Sequence, residues 1–390
     1  MTASRACSWD EGHWPGLAAL DEDIHCDLCV VGLGGSGLTA VQAAQQAGMR
    51  VVGIDAGEVA AGAAGRNGGF LLAGLARFHH QVVATIGREL AAALYRETLV
   101  ELATLRAQAP AHVRITGSLR IADSEEERRD CEAQQHALRA DGFAVEPYDG
   151  PEGRGLLIPT DGVFNPLVRA RSLASEIVAA GTRLFERTRA IECEPGQVIT
   201  PSAVIHCDTV LVAVDGRLDL MFPELLGNVR TARLQMLATE PTSEIALTRP
   251  VYARWGYDYW QQWPDGRVVL GGARDRAEQA EWTASAETSA RIQRALEVSL
   301  RERLRVHARI THRWAASVGY TPHGIPVVTE LRPNLWVIGG YNGTGNVVGA
   351  LCARAVIEQL QRGHSPRLEL LQQAARKIRI NDGKSMKEPT

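Results

Sequence analysis

The beginning of the chain shows a strand, helix and strand pattern of apolar positions. Residues 28–31 are continuously apolar and predict a short buried strand, and residues 38–47 place apolar side chains at helical spacing. Gly48 ends this helix, and residues 51–55 predict a second strand. A glycine-rich turn joins the first strand to the helix. The pattern predicts a βαβ unit, in which a crossover helix links two parallel strands.

Helical and strand-forming patterns alternate along the rest of the chain. Asn165 and Pro166 are typical of a helix N-cap and first helical position, so a helix is expected at residues 167–180, before Gly181. Residues 1–25 are polar and are expected to lie as an arm over the body. Further helices are expected at residues 88–108, 124–140, 282–303 and 347–361. Strands are expected at residues 183–193, 204–207, 210–214, 230–239, 251–263, 268–271, 309–314 and 335–339.

This order of elements predicts an α/β fold in which two domains are interleaved. The α/β segments at the start, middle and end of the chain are separated by insertions, which favours a discontinuous architecture. We expect a Rossmann-like cofactor domain of the glutathione-reductase type, built from residues 1–80, 155–225 and 312–375. Residues 81–154 and 226–311 are expected to form an α+β substrate domain with an antiparallel sheet, and residues 376–390 a tail.

The composition of the chain argues against several classes of binding partner. The chain has 390 residues, 45% of them hydrophobic, and a formal net charge of -3. A chain without a basic excess does not favour nucleic acid or an anionic membrane. It contains no apolar run of the ~20 residues that a spanning helix needs, and its N-terminus is acidic where a secretion signal would be basic, so a cytoplasmic location is expected. Strand alternation at Cys26 and Cys29 buries one thiol, so no metal site is predicted.

The glycine turn has the spacing of a dinucleotide-binding motif. Gly32 permits the tight turn, Gly34 lets the backbone approach a pyrophosphate, and Gly37 lets the helix pack closely on the strand. Phosphates would lie at the helix N-terminus, beside Ser36, where free N–H groups favour negative charge. Asp55 ends the second strand, just before Ala56, where a carboxylate can accept hydrogen bonds from a ribose diol. An acid there disfavours a 2′-phosphate, so FAD or NAD is expected rather than NADP.

A second glycine-rich segment follows the ribose acid. In residues 61–70, the run Arg66, Asn67, Gly68 and Gly69 allows backbone amides to reach a planar ring, while the arginine can meet a phosphate or a flavin oxygen. This segment resembles that of the glycine oxidase and D-amino-acid oxidase family of flavoproteins, and its core is closest to the γ-glutamylputrescine oxidase subgroup. The resemblance extends to residues 161–166, 210–216, 265–272 and 320–327, although His323 stands where an acid is usual.

The C-terminal glycine run is similar to the flavin motif of the same family. It comprises Gly340, Tyr341, Asn342, Gly343, Thr344 and Gly345, with Thr344 in place of a common histidine. A glycine loop that leads directly into a helix points N–H groups and a positive dipole end at the space in front of it. That arrangement suits the negative charge that a reduced flavin carries near N1 and O2.

The resemblance implies an activity and a set of catalytic residues. Family members transfer a hydride from an amine-bearing carbon to flavin N5 and produce an imine, so a small-molecule amine or amino acid is the expected substrate. Tyr259 is expected to face the substrate, and strand alternation places Gln261 on the same face. His79 is a candidate proton acceptor, with a polar surface pair of His79 and His80 as the alternative. FAD is expected to be noncovalent, because Val318 occupies the position of the cysteine that binds flavin covalently in some members.

Two other classes of function remain open. A flavin-dependent hydroxylase would need an NAD(P)H site, for which the chain has no second glycine fingerprint. A flavin-bound accessory protein without turnover is suggested by Thr344 and by a missing lysine. Several family oxidases are thought to activate oxygen with a lysine near flavin N5. This chain has no lysine before Lys377, and Val269 occupies the matching strand position.

The family's carboxylate-binding arginine is also replaced. Glycine and D-amino-acid oxidases hold the substrate α-carboxylate with an arginine in the stretch before residues 320–327, where this chain has Val318 and no arginine closer than Arg313. Simple α-amino acids are therefore expected to be rejected, and amines or substrates with a distant carboxylate to be preferred. Arginines on the substrate-domain strands could bind the carboxylate with two parallel N–H donors from another direction; these are Arg233, Arg254 and Arg274.

Overall fold

The structure, a computed structural model, describes residues 6–12 and 14–385. Its first large sheet is mainly parallel and follows the order β10-β11-β12-β1-β2-β9. The members are β10 (Glu192–Glu194), β11 (Gln197–Ile199), β12 (Val204–Val212), β1 (Ile24–Val31), β2 (Val51–Ile54) and β9 (Arg183–Phe185), with β19 (Leu335–Gly339) against β12 and β18 (Val327–Arg332) against β19. The continuous burial of Leu28, Val30 and Val31 reflects a central parallel strand that is covered on both faces.

Helices cover this parallel sheet. α1 (Gly35–Gln46) follows β1 directly and packs against α10 (Val348–Arg362) and α6 (Pro166–Ala179). The predicted cap of α6 is confirmed, since Asn165 Oδ1 accepts from the backbone N–H of Leu167 at 3.2 Å and of Val168 at 3.1 Å. The remaining helices are α2 (Ala63–Arg66), α3 (His79–Ile86), α4 (Arg88–Gln108), α5 (Glu125–Ala140), α7 (Leu218–Met221), α8 (Glu278–Glu281), α9 (Ala290–Val298) and α11 (Pro366–Ser385).

The second large sheet is mainly antiparallel, as expected for a substrate domain. Its order is β17 (Ile310–Tyr320), β13 (Arg230–Pro241), β16 (Arg267–Gly272), β15 (Asp258–Gln262), β14 (Val251–Ala253), β5 (Ser118–Ile121), β7 (Gly153–Ile158) and β6 (Glu146–Gly150). One face packs on α9 through Leu237, Trp260 and Leu270. A small sheet between the two large ones orders β3 (Phe70–Leu71), β8 (Gly162–Phe164) and β4 (Val113–Ile115).

The interleaved architecture and the fold class are confirmed. The predicted domain boundaries at residues 155 and 312 fall inside β7 and β17, which both belong to the antiparallel sheet. The helix α11 continues past residue 376, where the tail was expected to begin. The exact division of the chain into domains stays a prediction. Across residues 6–12 and 14–385, every helix is too short or too polar to span a bilayer.

Several elements differ from the sequence prediction. Residues 183–193 contain the two short strands β9 and β10 instead of one strand, and the two strands expected at residues 204–207 and 210–214 are the single strand β12. Residues 251–263 form a hairpin instead of one strand, because Trp255 (φ 53°) and Gly256 (φ 87°) adopt left-handed backbone conformations and reverse the chain. Within residues 282–303, the α-helix covers only Ala290–Val298 and continues as a π-helical turn. Before it, the hydroxyls of Thr283 and Ser285 accept from backbone N–H groups two residues ahead, at 3.2 Å each, which favours turns over helix.

Candidate active site

A cavity of about 990 Å³ is bordered by the glycine turn of the parallel sheet and by one face of the antiparallel sheet. The order of strand, glycine turn and helix places Gly34, Gly35 and Ser36 on its wall. α1 has no side-chain N-cap, so the N–H groups of its first turn are open to a ligand. A phosphate group fits this wall, because the helix dipole adds to the free N–H donors.

The turn geometry explains two of the three fingerprint glycines. Gly32 has a φ of 105°, a backbone conformation that is strained for any residue with a Cβ atom. A Cβ atom on Gly37 would lie 1.7 Å from the carbonyl oxygen of Gly32. A side chain at residue 37 would therefore push α1 away from β1. The steric restriction at Gly34 is weaker, since a Cβ atom added there would lie 3.2 Å from the Ala64 Cβ.

Asp55 holds the turn from the side where a ribose would lie. Its Oδ2 accepts from the Leu33 N–H at 2.7 Å, and its Oδ1 accepts from the Gly57 N–H at 2.8 Å. Both Asp55 and Ala56 line the cavity. Burial raises the pKa of Asp55, while the two backbone N–H donors act in the opposite direction. Each carboxylate oxygen retains acceptor capacity for a ribose hydroxyl.

The segment of residues 61–70 is more ordered than a simple glycine loop, because it contains the short helix α2. Asn67 Nδ2 donates to the Ala64 carbonyl at 2.8 Å, and its Oδ1 accepts from the Gly69 N–H at 2.8 Å. The Arg66 carbonyl accepts from Trp314 Nε1 at 2.8 Å, which anchors the segment to the antiparallel sheet. Gly69 has a φ of 72°. Arg66, Asn67 and Gly68 all line the cavity.

The N-terminal arm clamps this segment, a role that its polar composition did not indicate. Trp9 is fully buried and donates from Nε1 to the Asn67 carbonyl at 2.8 Å. The Trp9 carbonyl accepts from Asn165 Nδ2 at 3.0 Å. Cys7 Sγ lies 3.6 Å from the Gly65 carbonyl that it contacts. A tryptophan within a polar N-terminal run was the one signal in the sequence.

Replacing Trp9 separates the hydrogen bond from the packing. Trp9→Phe loses the bond to Asn67 and is expected to cost about 1 kcal/mol of unfolding free energy. Trp9→Ala also leaves a cavity and is expected to cost about 3–5 kcal/mol. Denaturant unfolding and FAD titration of both variants test this clamp. Wild-type stability and FAD affinity in the alanine variant would contradict it.

The C-terminal glycine run forms a second wall. Gly340 (φ 67°), Asn342 (φ 56°) and Gly343 (φ 88°) have left-handed backbone conformations, and residues 342–346 line the cavity. Asn342 Oδ1 accepts from the Thr321 N–H at 2.9 Å. The Thr344 hydroxyl donates to the Tyr341 carbonyl at 2.7 Å, so this side chain stabilises the loop itself.

Asp215 supports the same loop and was not identified as a site residue from the sequence. Its Oδ1 accepts from the Tyr341 N–H at 3.0 Å, and its Oδ2 accepts from the Gly319 N–H at 3.1 Å. Burial raises the pKa of Asp215 to about 6, against the opposing effect of these donors. The acid follows β12, so it joins the parallel sheet to the loop and to β17.

The floor of the cavity is a row of residues across the antiparallel sheet. Met236, Gly271, Tyr259, Tyr252 and Arg120 lie opposite one another in register on β13, β16, β15, β14 and β5. Directly opposed residues share one face of a sheet. The rings of the two tyrosines lie 5.7 Å apart. On β17, side chains of the same face include Ala316, Val318 and Tyr320, which also line the cavity.

The other two predicted catalytic residues lie in different surroundings from Tyr259. Gln261 shares its face of β15 but is not part of the cavity lining; its Nε2 donates to the Gly68 carbonyl. His79 reaches the cavity edge, yet it is only 3% exposed, and its Nε2 lies 2.6 Å from Asp141 Oδ2. The alternative of a polar surface pair is wrong for His79. Its ion-pair geometry and burial favour a structural role.

A large cavity between two glycine-rich walls, with a carboxylate beside the fingerprint turn, is typical of FAD-dependent oxidoreductases. Residues 27–359 match the model of the family described as DAO, FAD dependent oxidoreductase. The chain belongs to this family, and FAD is its cofactor.

Known proteins with related sequences and structures agree with this assignment. The chain is 27% identical over 374 residues to a probable oxidoreductase OrdL of Rhizobium meliloti, covering 89% of this chain and 85% of that protein. It is 26% identical over 384 residues to the gamma-glutamylputrescine oxidoreductase of Escherichia coli, covering 90% and 87%. The glycine oxidase structure from Geobacillus kaustophilus superposes with a TM-score of 0.74 at 18% identity, covering 88% and 96%.

Proposed function

We propose that this protein oxidises the C–N bond of a small amine or amino acid to an imine. FAD, when bound, accepts the hydride at N5. The observation that carries the proposal is the position of Tyr252 and Tyr259 on the floor of the cavity whose walls carry the two glycine segments. The name of the Escherichia coli relative, gamma-glutamylputrescine oxidoreductase, supports an amine substrate.

The side chains of the floor can orient an amine and exclude water. Burial raises the pKa of Tyr252 to about 12 and raises that of Tyr259 as well, so both phenols stay protonated and can donate hydrogen bonds. Their ring faces attract a substrate ammonium group through the aromatic quadrupole. Gln261 holds the Gly68 carbonyl, and the Gly68 backbone lies against Tyr259. We therefore assign Tyr259 to substrate contact and Gln261 to positioning.

The proposal includes noncovalent binding of FAD. All seven cysteines of the chain are buried, and none lies on the cavity lining. The position at which some family members carry a flavin-binding cysteine is Val318, on the cavity floor. This arrangement supports a flavin that is retained by hydrogen bonds and packing alone.

Anaerobic mixing of the FAD-loaded protein with a panel of primary amines, secondary amines and amino acids tests the function. Bleaching of the flavin absorbance near 450 nm by a member of the panel, with formation of the matching carbonyl product after imine hydrolysis, is the expected result. Bleaching only by NADH or NADPH would favour the hydroxylase instead. A flavin that no panel member and no reduced nicotinamide bleaches would favour the accessory protein without turnover.

Reduced enzyme is expected to react slowly with oxygen. Val269, at the position of the family lysine, is buried on β16 beside Ala238 and Gln261. Of the described side chains, only that of Lys377, on α11, is a lysine. A fixed charge near developing negative charge is worth about 10²–10³ in rate, so Val269→Lys should accelerate reoxidation. Stopped-flow mixing with oxygen measures both proteins; wild-type reoxidation as fast as turnover would contradict the prediction.

A further inference from the structure

The arginines that could hold a substrate carboxylate differ in whether their charge is already paired. Arg233 forms a bidentate pair with Glu281, at 2.7 and 2.8 Å. Arg313 donates to Glu297 at 2.7 Å, on the side of β17 that faces α9. These two are therefore unavailable to a ligand in the cavity.

Arg254 is paired in the same way. It donates to Asp258 at 3.1 Å and also to Asp275, and it does not line the cavity. Asp258 belongs to β15 and Asp275 to the turn after β16, so the guanidinium of Arg254 is held by carboxylates of the protein itself. Arg274 is the remaining arginine of the set.

Arg274 lines the cavity and is only 8% exposed. Its guanidinium carbon lies 4.6 Å from the ring centroid of Trp282, 5.0 Å from that of Tyr320 and 5.7 Å from that of Tyr257. Trp282 and Tyr320 also contact each other edge to face, at 5.7 Å. Three aromatic rings therefore form a cage that fixes the guanidinium plane.

The cage provides no hydrogen-bond acceptor for one nitrogen of this arginine. Nη1 is buried without a hydrogen-bond partner in the described part of the chain. The neighbouring carboxylates are engaged elsewhere, since Asp275 accepts from Arg254 and Glu281 accepts from Arg233. A second cation, Arg230, lies 4.2 Å from the ring centroid of Trp282.

A buried guanidinium with an unsatisfied donor is costly unless an anion completes it. A carboxylate matches the guanidinium fork, because two parallel N–H donors can bind its two oxygens. We infer that Arg274 binds a carboxylate of the substrate, so that the substrate class is an amine carrying an acidic group. This inference rests on the proposed amine oxidation. It identifies Arg274 as the residue that distinguishes amines with an acidic group from amines without one.

The position of Arg274 changes the expected selectivity. It follows β16, whereas the family's arginine lies on the strand that corresponds to β17, where this chain places Val318 on the floor. A carboxylate held from the β16 side approaches Tyr259 from a different direction than one held from β17. The carboxylate-binding arginine therefore lies in the turn after β16 and not on β17, and amines without an acidic group should be poor substrates.

Binding of a carboxylate to the FAD-loaded protein tests the inference without turnover. Butanoate and its neutral counterpart butanamide are titrated while the visible spectrum of the flavin is recorded. We expect butanoate to perturb the spectrum and to bind about 10- to 100-fold more weakly to Arg274→Gln, since a charged hydrogen bond contributes that much. Arg274→Lys should retain part of the affinity, because it keeps the charge but loses the fork.

Arg276→Gln is the matched control, because Arg276 lies two residues away, and its side chain is 61% exposed. It should bind butanoate as the wild type does. FAD content and melting temperature of each variant show whether Arg274 instead supports the cofactor or the fold. Equal binding of butanoate by the wild type and Arg274→Gln, or no preference of the wild type for butanoate over butanamide, would overturn the inference.

Turnover provides a second, independent measurement. The ratio of kcat/KM for 4-aminobutanoate to that for propylamine, and for alanine to that for ethylamine, should exceed one in the wild type for at least one pair. Arg274→Gln should bring that ratio close to one by lowering only the value for the carboxylated compound. If no amine is oxidised, the proposed function fails while the butanoate titration still decides the role of Arg274.

Discussion

Asp55→Ala is expected to lower FAD affinity by about 10- to 100-fold, because a ligand hydroxyl loses a charged acceptor worth 1.5–3 kcal/mol. The same substitution leaves the N–H groups of Leu33 and Gly57 without their present acceptor. Both residues belong to the turns that shape the nucleotide wall, so the fingerprint turn should also become less ordered. Equilibrium titration of the FAD-free protein with FAD, followed by flavin fluorescence, measures the affinity.

Two further variants separate these effects. Asp55→Asn keeps one carbonyl acceptor and loses the charge, so its FAD affinity should lie between those of the wild type and Asp55→Ala. Asp208→Ala removes an exposed acid from β12, another strand of the same sheet, and serves as the control. If Asp55→Ala binds FAD as the control does, the acid contributes only to the turn and the ribose assignment is wrong.

The sequence predicted those elements whose signals are local. The helix Arg88–Gln108 and the cap at Asn165 were predicted because helical spacing and capping chemistry involve residues within a few positions of each other. The hairpin at residues 251–263 was missed, since its turn has left-handed backbone at Trp255, a residue type that gives no turn signal. Residues 282–289 were misassigned because hydroxyl side chains there compete with helical hydrogen bonds.

The site residues also differ in whether a local sequence signal predicts them. Spacing predicted the glycine positions and Asp55. The structure places Asp55 and five of the predicted glycines on one cavity: Gly32, Gly34, Gly68, Gly343 and Gly345. Gly37, Gly69 and Gly340 lie outside the cavity lining. Trp9 and Asp215 act through contacts with Asn67 and Tyr341, which are distant in sequence, so no residue spacing predicts these contacts. For the same reason, the sequence could not show which of Arg233, Arg254 and Arg274 is free to bind a substrate carboxylate. Only the three-dimensional arrangement shows which of them has a carboxylate partner.

Gly37→Ala is expected to have the largest effect on the fold of the nucleotide site. Its Cβ would lie 1.7 Å from the Gly32 carbonyl oxygen, which is backbone and cannot rotate away. α1 must then move off β1, although it is also held by α6 and α10. Overpacking of this kind costs about 3 kcal/mol, which for a chain of 390 residues corresponds to a melting temperature lower by roughly 4 °C in the FAD-free protein. Displacement of the first turn should also weaken FAD binding by at least about tenfold, because the phosphate donors move with the helix.

Gly35→Ala provides the matched control for the fold, since a Cβ there meets nothing within 4 Å. Alanine is favoured over glycine in a helix by up to about 1 kcal/mol, so the FAD-free Gly35→Ala variant should melt at or above the wild-type temperature. The two substitutions add the same methyl group to the same helix, two residues apart, and differ only in what that methyl meets. Equal melting temperatures for Gly37→Ala and Gly35→Ala would show that α1 does not pack on β1 through Gly37, and the geometry assigned to the phosphate wall would then be wrong.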